Sequence, residues 1–270
     1  MRPKRPEQGG SGFGDRIRVM NPFEIAAPDY ASVRPAYPAA AVEELLGGTA
    51  PARPFARVAD VGAGTGKMTA LLAARGCEVV AVEPSEAMRE QMRSALGLAE
   101  EPASGPGAIV QSAASAEALD LADSSVDLVV FAQSWHWVDP TSAAAEAARV
   151  LMPGGVLAAV WNQMDVSIPW VRRLTRIMRS GDVHRADRPP AFGPAFEPPS
   201  LRAVPWADVM TPEEIVRLGT TRSSYLRQDP AGRARMSANL RWYLHEHLGR
   251  PEGTSVEIPY STLVWTARMR

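Results

Sequence analysis

The chain has 270 residues, enough for one domain with a sizeable core or for two smaller domains. Its 29 basic and 30 acidic residues leave a net charge of -1, which excludes a whole-protein field that would hold nucleic acid or an anionic membrane. The single cysteine, Cys77, excludes an intramolecular disulfide and a metal cage built on several thiolates. No apolar run approaches the ~20 residues that span a bilayer, and no apolar segment follows the basic start, so we expect a cytoplasmic protein.

In chain order, the first predicted feature is a flexible tail over residues 1–20, which are rich in Gly, Pro and Arg. We expect residues 21–270 to form one domain, in which helices and strands alternate from residue 38 onwards. Strands are predicted over residues 57–61, 78–82, 109–111, 126–132 and 156–161. Helices are predicted over residues 39–46, 67–75 and 142–150. Another helix is predicted to begin after Ser85, its N-cap. Apolar strands that alternate with helices predict an α/β fold with a doubly wound, parallel sheet.

The pattern becomes less regular after Trp161. We predict a core over residues 38–165 and a lid with closing strands over residues 166–270. Residues 181–206 are rich in Pro and Phe and predict an irregular part of the lid. Helices are also predicted over residues 169–179 and 231–247, and a further helix starts at the capping signature Thr211-Pro212-Glu213-Glu214. A closing strand is predicted over residues 255–258 and 262–266, with a polar break between its two parts.

The most informative segment is the loop Asp-Val-Gly-Ala-Gly-Thr-Gly at residues 60–66, which follows the first predicted strand and opens a helix. An open α/β sheet binds its ligand at this place. The glycine spacing differs from the Gly-x-Gly-x-x-Gly of dinucleotide sites, and the carboxylate of Asp60 would repel a pyrophosphate. The carboxylate of Asp60 suits a ligand that carries an ammonium group. Lys67 does not complete a phosphate loop, because Met68 stands where that motif needs Ser or Thr.

Glu83 ends the next predicted strand, about 20 residues after the glycine loop, where an acid accepts hydrogen bonds from ribose hydroxyls. Alone, Glu83 is equally well explained as a solvated acid before Pro84. Together with Asp60 and the glycines, it predicts a site for a ligand with a ribose, a cationic amino group and no phosphate. S-adenosylmethionine fits that description.

With these motifs, the chain resembles class I S-adenosylmethionine-dependent methyltransferases, most of all the small-molecule branch around methyltransferase type 11 and the trans-aconitate methyltransferase-like proteins. The resemblance begins near Phe23 and rests on four further segments: Val-Glu-Pro-Ser-Glu-Ala-Met at 82–88, Ser-Ala-Glu-Ala-Leu at 115–119, Asp-Leu-Val-Val-Phe-Ala-Gln-Ser-Trp-His-Trp at 127–137 and Arg-Val-Leu-Met-Pro-Gly-Gly-Val-Leu at 149–157. It implies a mostly parallel, seven-stranded, Rossmann-like sheet with an α-helical lid insertion. It also implies methyl transfer to a small-molecule acceptor, which the matching motifs do not identify.

The resemblance implies a role for each matching residue. Asp60 and the backbone of the loop, Gly62, Ala63, Gly64, Thr65 and Gly66, would hold the methionyl end of the cofactor. Glu83 would contact the ribose hydroxyls, and Met88 would pack on the adenine. The other implied cofactor-binding residues are Pro84, Ser115, Ala116, Glu117, Ala132, Gln133, Tyr30 and Arg34.

The acceptor is expected at the end of the fourth predicted strand, at residues 132–137. Methyl transfer is an in-line displacement that needs mainly alignment, and it needs a base only when the nucleophile must lose a proton. His136 is the candidate catalytic base for a hydroxyl or carboxyl acceptor, with positioning and structural roles as alternatives. Trp135 and Trp137 are candidate substrate contacts, and we expect at least one of them in the core.

Two segments are predicted to cover the acceptor, residues 23–38 and 181–250. In the first, Tyr30 and Arg34 would close over the cofactor or grip an acceptor carboxylate, or else form a surface salt bridge. In the second, Tyr225 is the favoured substrate contact. The aromatic side chains of the second segment predict an apolar acceptor with one polar handle: Phe192, Phe196, Trp206 and Tyr225.

Two other functions stay open at this point. One is a protein of the same fold that binds S-adenosylmethionine without transferring methyl groups, such as a cyclase or a regulatory binder. The other is an NAD-dependent oxidoreductase, against which Asp60 and the glycine spacing argue. We expect a small-molecule acceptor as the partner, neither nucleic acid nor a membrane. We expect no metal, because no cluster of His, Cys and carboxylates has ligand spacing.

Overall fold

The computed structural model describes residues 33–47, 56–99, 104–179 and 184–270. The predicted tail at residues 1–20, the domain boundary at residue 21 and Tyr30 lie outside the described residues. Within the described residues, no helix combines the length and the apolar character that crossing a membrane requires.

The first half of the described chain alternates between helices and strands, as predicted. Its helices are α1 (Ala39–Gly47), α2 (Lys67–Ala73), α3 (Glu86–Leu96) and α4 (Pro140–Val150). Its strands are β1 (Arg57–Val61), β2 (Glu78–Val82), β3 (Ile109–Ser112) and β4 (Val126–Ala132). Three of these strands have the predicted bounds because an apolar run, closed by a glycine loop or a cap, defines both of their ends.

The second half contains the rest of the sheet and the helices that cover one end of it. Its strands are β5 (Leu151–Met164), β6 (Ser200–Met210) and β7 (Val256–Arg268). Its helices are α5 (Pro169–Ile177), α6 (Pro212–Thr220), α7 (Ser223–Leu226) and α8 (Pro230–Arg241), which continues as a π-helical turn over Trp242–His247. The predicted capping signature is confirmed, since Thr211 and Glu214 exchange hydrogen bonds at the start of α6.

The seven strands form one sheet in the order β3-β2-β1-β4-β5-β7-β6. The five strands β1 to β5 pair in parallel, and β7 runs antiparallel between β5 and β6. The predicted mostly parallel, seven-stranded α/β sheet is therefore confirmed. The strand order reverses at β1, which has β2 on one side and β4 on the other, and open α/β sheets bind ligands outside the carboxyl ends of strands at such a point.

Three apolar clusters support this edge of the sheet. On one face, Leu45, Met68 and Leu72 pack α1 and α2 against β1 and β4. On the other face, α4 packs with Phe131, Trp135, Phe192 and Phe196. The third cluster lies between α5, α6, α8 and the first half of β7, so these helices are fixed against the antiparallel end of the sheet.

Two predictions about strand boundaries were wrong. Residues 153–155 were expected to end α4 as a loop, yet β5 begins at Leu151 and contains them. The register with β4 shifts there, because Val126 pairs with Leu151 while Leu128 pairs with Val156, which leaves the intervening residues as a bulge. The closing strand has no break either, since β7 pairs with β6 from Val256 to Thr266 and with β5 from Tyr260 to Arg268.

The prediction of an irregular segment over residues 181–206 was wrong for its last part, residues 200–206. Residues from Ser200 onwards form the edge strand β6, which pairs with β7 from Ser200–Thr266 to Met210–Val256. Phe192 and Phe196 are each 2% exposed and lie in the core. The strand escaped prediction because an edge strand is mostly exposed and tolerates Pro205, so it lacks the apolar run of the central strands.

Candidate active site

A cavity of about 560 Å³ lies at the reversal of strand order, within the ~300–1,000 Å³ of small-molecule sites. Its lining comes from the ends of β1, β2, β4 and β5, from the segment before α1 and from the start of α7. The polar and aromatic residues in its wall are Arg34, Glu83, Ser85, Ser115, Glu117, Gln133, Ser134, His136, Trp137, Asn162, Gln163, Arg222, Ser223 and Tyr260.

The glycine loop forms the floor of the cavity between β1 and α2. The N–H groups of Gly62 and Ala63 both donate to the carbonyl of Val82, which joins the loop to the end of β2. Gly62 has φ 72° and approaches β4 so closely that a Cβ would lie 2.5 Å from the Cβ of Ser134. Only glycine fits there, and the exposed backbone leaves room for a ligand.

Glu83 is fixed at the rim of the cavity by two backbone N–H groups. Its Oε2 accepts from Gly64 at 2.9 Å and its Oε1 accepts from Ser85 at 2.9 Å. The carboxylate is 8% exposed and borders the cavity. Each oxygen keeps a second lone pair, so the group can still accept hydrogen bonds from a diol such as a ribose.

Asp60 is fully buried at the end of β1 and does not line the cavity itself. Burial raises the pKa of its carboxyl group to about 6, although a 2.6 Å hydrogen bond from the Thr69 hydroxyl opposes the increase. The other oxygen, Oδ1, has no hydrogen-bond partner among the described residues. A buried acceptor with this need suits a cationic group or a polar hydrogen brought by a ligand.

A second wall of the cavity consists of Pro84, Met88, Ser115, Ala116 and Glu117. Met88 is 4% exposed in the first turn of α3, where Ser85 caps the helix by accepting from the Met88 N–H at 3.4 Å. Glu117 accepts from the Asp139 N–H at 3.1 Å, which joins this wall to the start of α4. The wall has the apolar surface and the edge acceptors that a purine would contact.

The third wall begins at the end of β4, with Gln133, His136 and Trp137. Gln133 has φ 61°, a backbone conformation that is uncommon outside glycine and that ends the strand sharply. His136 and Trp137 follow in a short 3-10 turn, and the Nδ1 atom of His136 accepts a 3.4 Å hydrogen bond from Nε1 of Trp161. The ring of Trp137 is 51% exposed at the rim.

Several predicted site residues do not line the cavity. Trp135 is 6% exposed and packs edge-on against Phe131 and Phe192, so it belongs to the core. Trp206 stacks on Tyr260, and Tyr225 packs between the helices of the third cluster. The predicted aromatic wall of Phe192, Phe196, Trp206 and Tyr225 is therefore wrong. The remaining predicted residues outside the wall are Ala63, Thr65, Gly66 and Ala132.

Sequence reasoning missed the polar residues that occupy the acceptor side instead. Asn162 and Gln163 come from β5, Tyr260 from β7, and Arg222 and Ser223 from the start of α7. Tyr260 lies within a strand and Arg222 in a connection between helices, so no local motif marks either residue. Their meeting depends on the antiparallel return of β7, which no local pattern reveals.

Tyr260 and two arginines form a cationic end of the cavity. The tyrosine is 3% exposed, and its hydroxyl has no hydrogen-bond partner among the described residues. Burial raises the pKa of this hydroxyl to about 12. The charge of Asp208 adds to the increase, and the charges of Arg222 and Arg34 oppose it. Arg34 also donates to the carbonyl of Thr221 at 2.9 Å, which joins the segment before α1 to α6.

The strand order, the glycine loop after β1 and the acid after β2 together define a class I S-adenosylmethionine-dependent methyltransferase. A family model described as a methyltransferase domain matches residues 59–159. An uncharacterized methyltransferase of Mycobacterium tuberculosis is 38% identical over 242 residues, which cover 89% of this chain and 93% of the relative. The chain therefore belongs to the methyltransferases of this class.

Two further comparisons agree with this family. A malonyl-[acyl-carrier protein] O-methyltransferase of Enterobacter lignolyticus is 34% identical over 163 residues, 60% of each chain. A solved structure from Anaeromyxobacter dehalogenans, named as a type II methyltransferase, superposes with a TM-score of 0.60 at 26% identity and covers 87% of this chain and 97% of its own.

The cofactor of this family is S-adenosylmethionine, which supplies an electrophilic methyl group on a sulfonium. The site fits it: Gly62 and Gly64 bring bare backbone to the cavity wall beside the Glu83 carboxylate, and Oδ1 of the buried Asp60 has no hydrogen-bond partner among the described residues. These are features that the chain's own contacts leave for a ligand.

Proposed function

We propose that the protein transfers a methyl group from S-adenosylmethionine to an oxygen atom of a small-molecule acceptor, at a carboxyl or a hydroxyl group. The proposed cofactor residues that line the half of the cavity over β1 and β2 are Gly62, Gly64, Glu83, Pro84, Met88, Ser115, Ala116 and Glu117. Behind this wall, the proposal also includes Asp60 and the rest of the glycine loop, Ala63, Thr65 and Gly66. The acceptor would occupy the half over β4, β5 and β7.

The observation that carries the proposed acceptor class is the cationic end formed by Arg34, Arg222 and Tyr260. Two guanidinium groups act on one buried hydroxyl that still needs a partner. Arginine recognises carboxylates through paired N–H donors, and a tyrosine hydroxyl adds a third donor. This supports an anionic acceptor, in place of the largely apolar one that the predicted aromatic wall suggested.

The family comparison supports oxygen as the methylated atom. Relatives in Methylococcus capsulatus and Enterobacter lignolyticus are named malonyl-[acyl-carrier protein] O-methyltransferases, at 41% identity over 108 residues and 34% over 163. Because they match less than two thirds of this chain, they support the class of reaction and leave the acceptor molecule to experiment. A cytoplasmic location remains a prediction from the sequence.

A screen of labelled methyl transfer tests the proposal. Small carboxylic acids should accept the label, and each should be compared with the amide and the primary alcohol of the same skeleton. For an active acid, Arg222→Gln should raise KM by ~10- to 100-fold, the range expected for a hydrogen bond to a charged group. The affinity for S-adenosylmethionine should stay within about twofold in this variant.

Arg235→Gln serves as the matched control, because Arg235 is an exposed arginine of α8 outside the cavity. It should leave the KM of the acceptor and the affinity for S-adenosylmethionine unchanged. Equal KM values for the acceptor in Arg222→Gln and Arg235→Gln would contradict the anionic site. Labelling of the amides in preference to the acids would contradict oxygen methylation.

A further inference from the structure

The hydrogen bond between Trp161 and His136 determines which nitrogen of His136 carries a proton. The indole Nε1–H of Trp161 is a donor only, and it points at Nδ1 of His136 over 3.4 Å. Nδ1 must therefore offer a lone pair. A neutral imidazole has one protonated and one unprotonated nitrogen, so the proton lies on Nε2.

We infer that His136 is held as the Nε2–H tautomer and acts towards the acceptor as a hydrogen-bond donor, not as a general base. A base must accept a proton at an unprotonated nitrogen, and the only such nitrogen is already occupied by Trp161. The consequence for the acceptor rests on the proposed function. If His136 is not a base, the acceptor oxygen must reach the site already ionised, which selects a carboxylate over a hydroxyl.

Both partners of the bond have fixed positions. Trp161 is 4% exposed on β5, where it pairs with Leu263 of β7, and its ring stacks on His184 at 4.2 Å between centroids. His136 lies between Trp135, which is anchored in the core, and Trp137, whose N–H donates to the Ser134 carbonyl at 2.9 Å. Freeing Nδ1 would leave the buried indole N–H without its acceptor, which is unfavourable for a donor removed from water.

The chemistry of the two candidate acceptors differs by one proton. Methyl transfer forms an O–CH₃ bond, breaks the S–CH₃ bond and leaves both electrons of the broken bond on sulfur. A carboxylate becomes an ester with no proton to remove. A hydroxyl must lose its proton, and that step needs a base.

Among the described residues, the other charged or titratable groups around His136 are not placed to replace it as a base. His184 lies 5.2 Å away between ring centroids, but it does not line the cavity. In the shared cavity, Arg34 and Arg222 are cations, and burial keeps Tyr260 protonated at neutral pH. Glu83 and Glu117 lie on the cofactor half and accept backbone N–H groups.

The tautomer can be measured without an acceptor or a cofactor. In full-length protein labelled with ¹⁵N-histidine, long-range ¹H–¹⁵N correlation spectra distinguish the two neutral tautomers and the cation. The chain has four histidines, and His136→Gln identifies the signals of His136. We expect the Nε2–H tautomer in the neutral ring at pH 8. An Nδ1–H tautomer at that pH would overturn the inference.

Trp161→Phe tests the cause, with the melting temperature and the affinity for S-adenosylmethionine as controls for folding. Without the indole donor, the neutral His136 ring should show both tautomers. An unchanged tautomer in a folded Trp161→Phe variant would show that Trp161 does not fix it, and would overturn the argument.

Kinetics separate a donor from a base once an acceptor is known. Glutamine carries an N–H₂ donor near the position of Nε2 but cannot act as a base. His136→Gln should therefore keep turnover within ~10-fold of the wild type, while His136→Ala should lose ~10²-fold or more. Equal losses in both variants, or turnover of hydroxyl acceptors only, would overturn the inference. If no acceptor is methylated, the proposed function fails while the tautomer measurement still stands.

Discussion

Replacing Asp60 by asparagine tests whether the site stores a buried charge for its cofactor. Asp60 is fully buried, and burial raises the pKa of its carboxyl group from 3.8 to about 6, with a smaller increase from Glu83 and an opposing effect of Thr69. At 1.36 kcal/mol per pKa unit, ionisation of this group destabilises the folded chain by about 3 kcal/mol. Asparagine keeps an oxygen that accepts from Thr69 but cannot ionise.

The sign of the pH dependence follows from proton binding. The pKa is higher in the folded state than in the unfolded state, so the folded state binds more protons between pH 3.8 and about 6. The stability that this group contributes is present at low pH and is lost as the pH rises through about 6. Relative to Asp60→Asn, the wild type should lose about 2 kcal/mol of unfolding free energy between pH 4.5 and 7.5.

Urea unfolding of the cofactor-free protein between pH 4.5 and 7.5 measures this difference, with Asp120→Asn as the control, because Asp120 is an exposed carboxylate. Calorimetry then gives the affinity for S-adenosylmethionine, which we expect to fall by ~10- to 100-fold in Asp60→Asn. The variant should thus be more stable and bind more weakly. If the difference in unfolding free energy between the wild type and Asp60→Asn does not change with pH, the reasoning about a buried charge is refuted.

Three other expectations concern Glu83, Gly62 and the absence of a metal requirement. Glu83→Ala should weaken S-adenosylmethionine binding by ~10- to 100-fold in calorimetry, while Glu90→Ala, at an exposed position of α3, should leave it unchanged. Gly62→Ala should lower the unfolding free energy by ~1–3 kcal/mol in urea titrations, because its Cβ would lie 2.5 Å from that of Ser134, and Ser134→Gly in the same chain should recover part of the loss. A chelator should leave methyl transfer unchanged, since in the described part of the chain no three His, Cys, Asp or Glu side chains come together as a metal site; activity lost to a chelator and restored by one divalent ion would contradict this.

The sequence predicts the central strands and several residues that line one half of the cavity, because both depend on local signals. β1, β2 and β4 are apolar runs that end at a glycine loop, an acid and a polar turn, and parallel strands bring those three ends to one edge. The residues that follow these strands therefore line one cavity. Local pattern and tertiary arrangement agree there, so reasoning from spacing succeeds.

The acceptor half depends on long-range pairing that has no local signature. Tyr260 reaches the cavity because β7 returns antiparallel between β5 and β6, which pairs Tyr260 with Met164 on one side and Trp206 on the other. Aromatic residues near the predicted lid were expected to contact the substrate, whereas Phe192 and Phe196 complete the core beneath α4. Composition alone does not distinguish an aromatic residue that lines a cavity from one that fills the core.

The two halves of the cavity differ in charge, and this difference supports a fixed orientation for both reactants in the proposed function. Asp60 lies on β1, whereas Tyr260 lies on β7, three strands away and about 14 Å across the sheet at ~4.8 Å per strand. The acidic end favours a cationic amino group, and the cationic end, with Arg34 and Arg222, favours an anion. An acceptor carboxylate placed in the wrong half would meet Asp60 and Glu83, and a cofactor ammonium in the wrong half would meet two guanidinium groups. Alignment of the methyl group with the acceptor oxygen then follows from charges that the fold places far apart, and it requires no base between them.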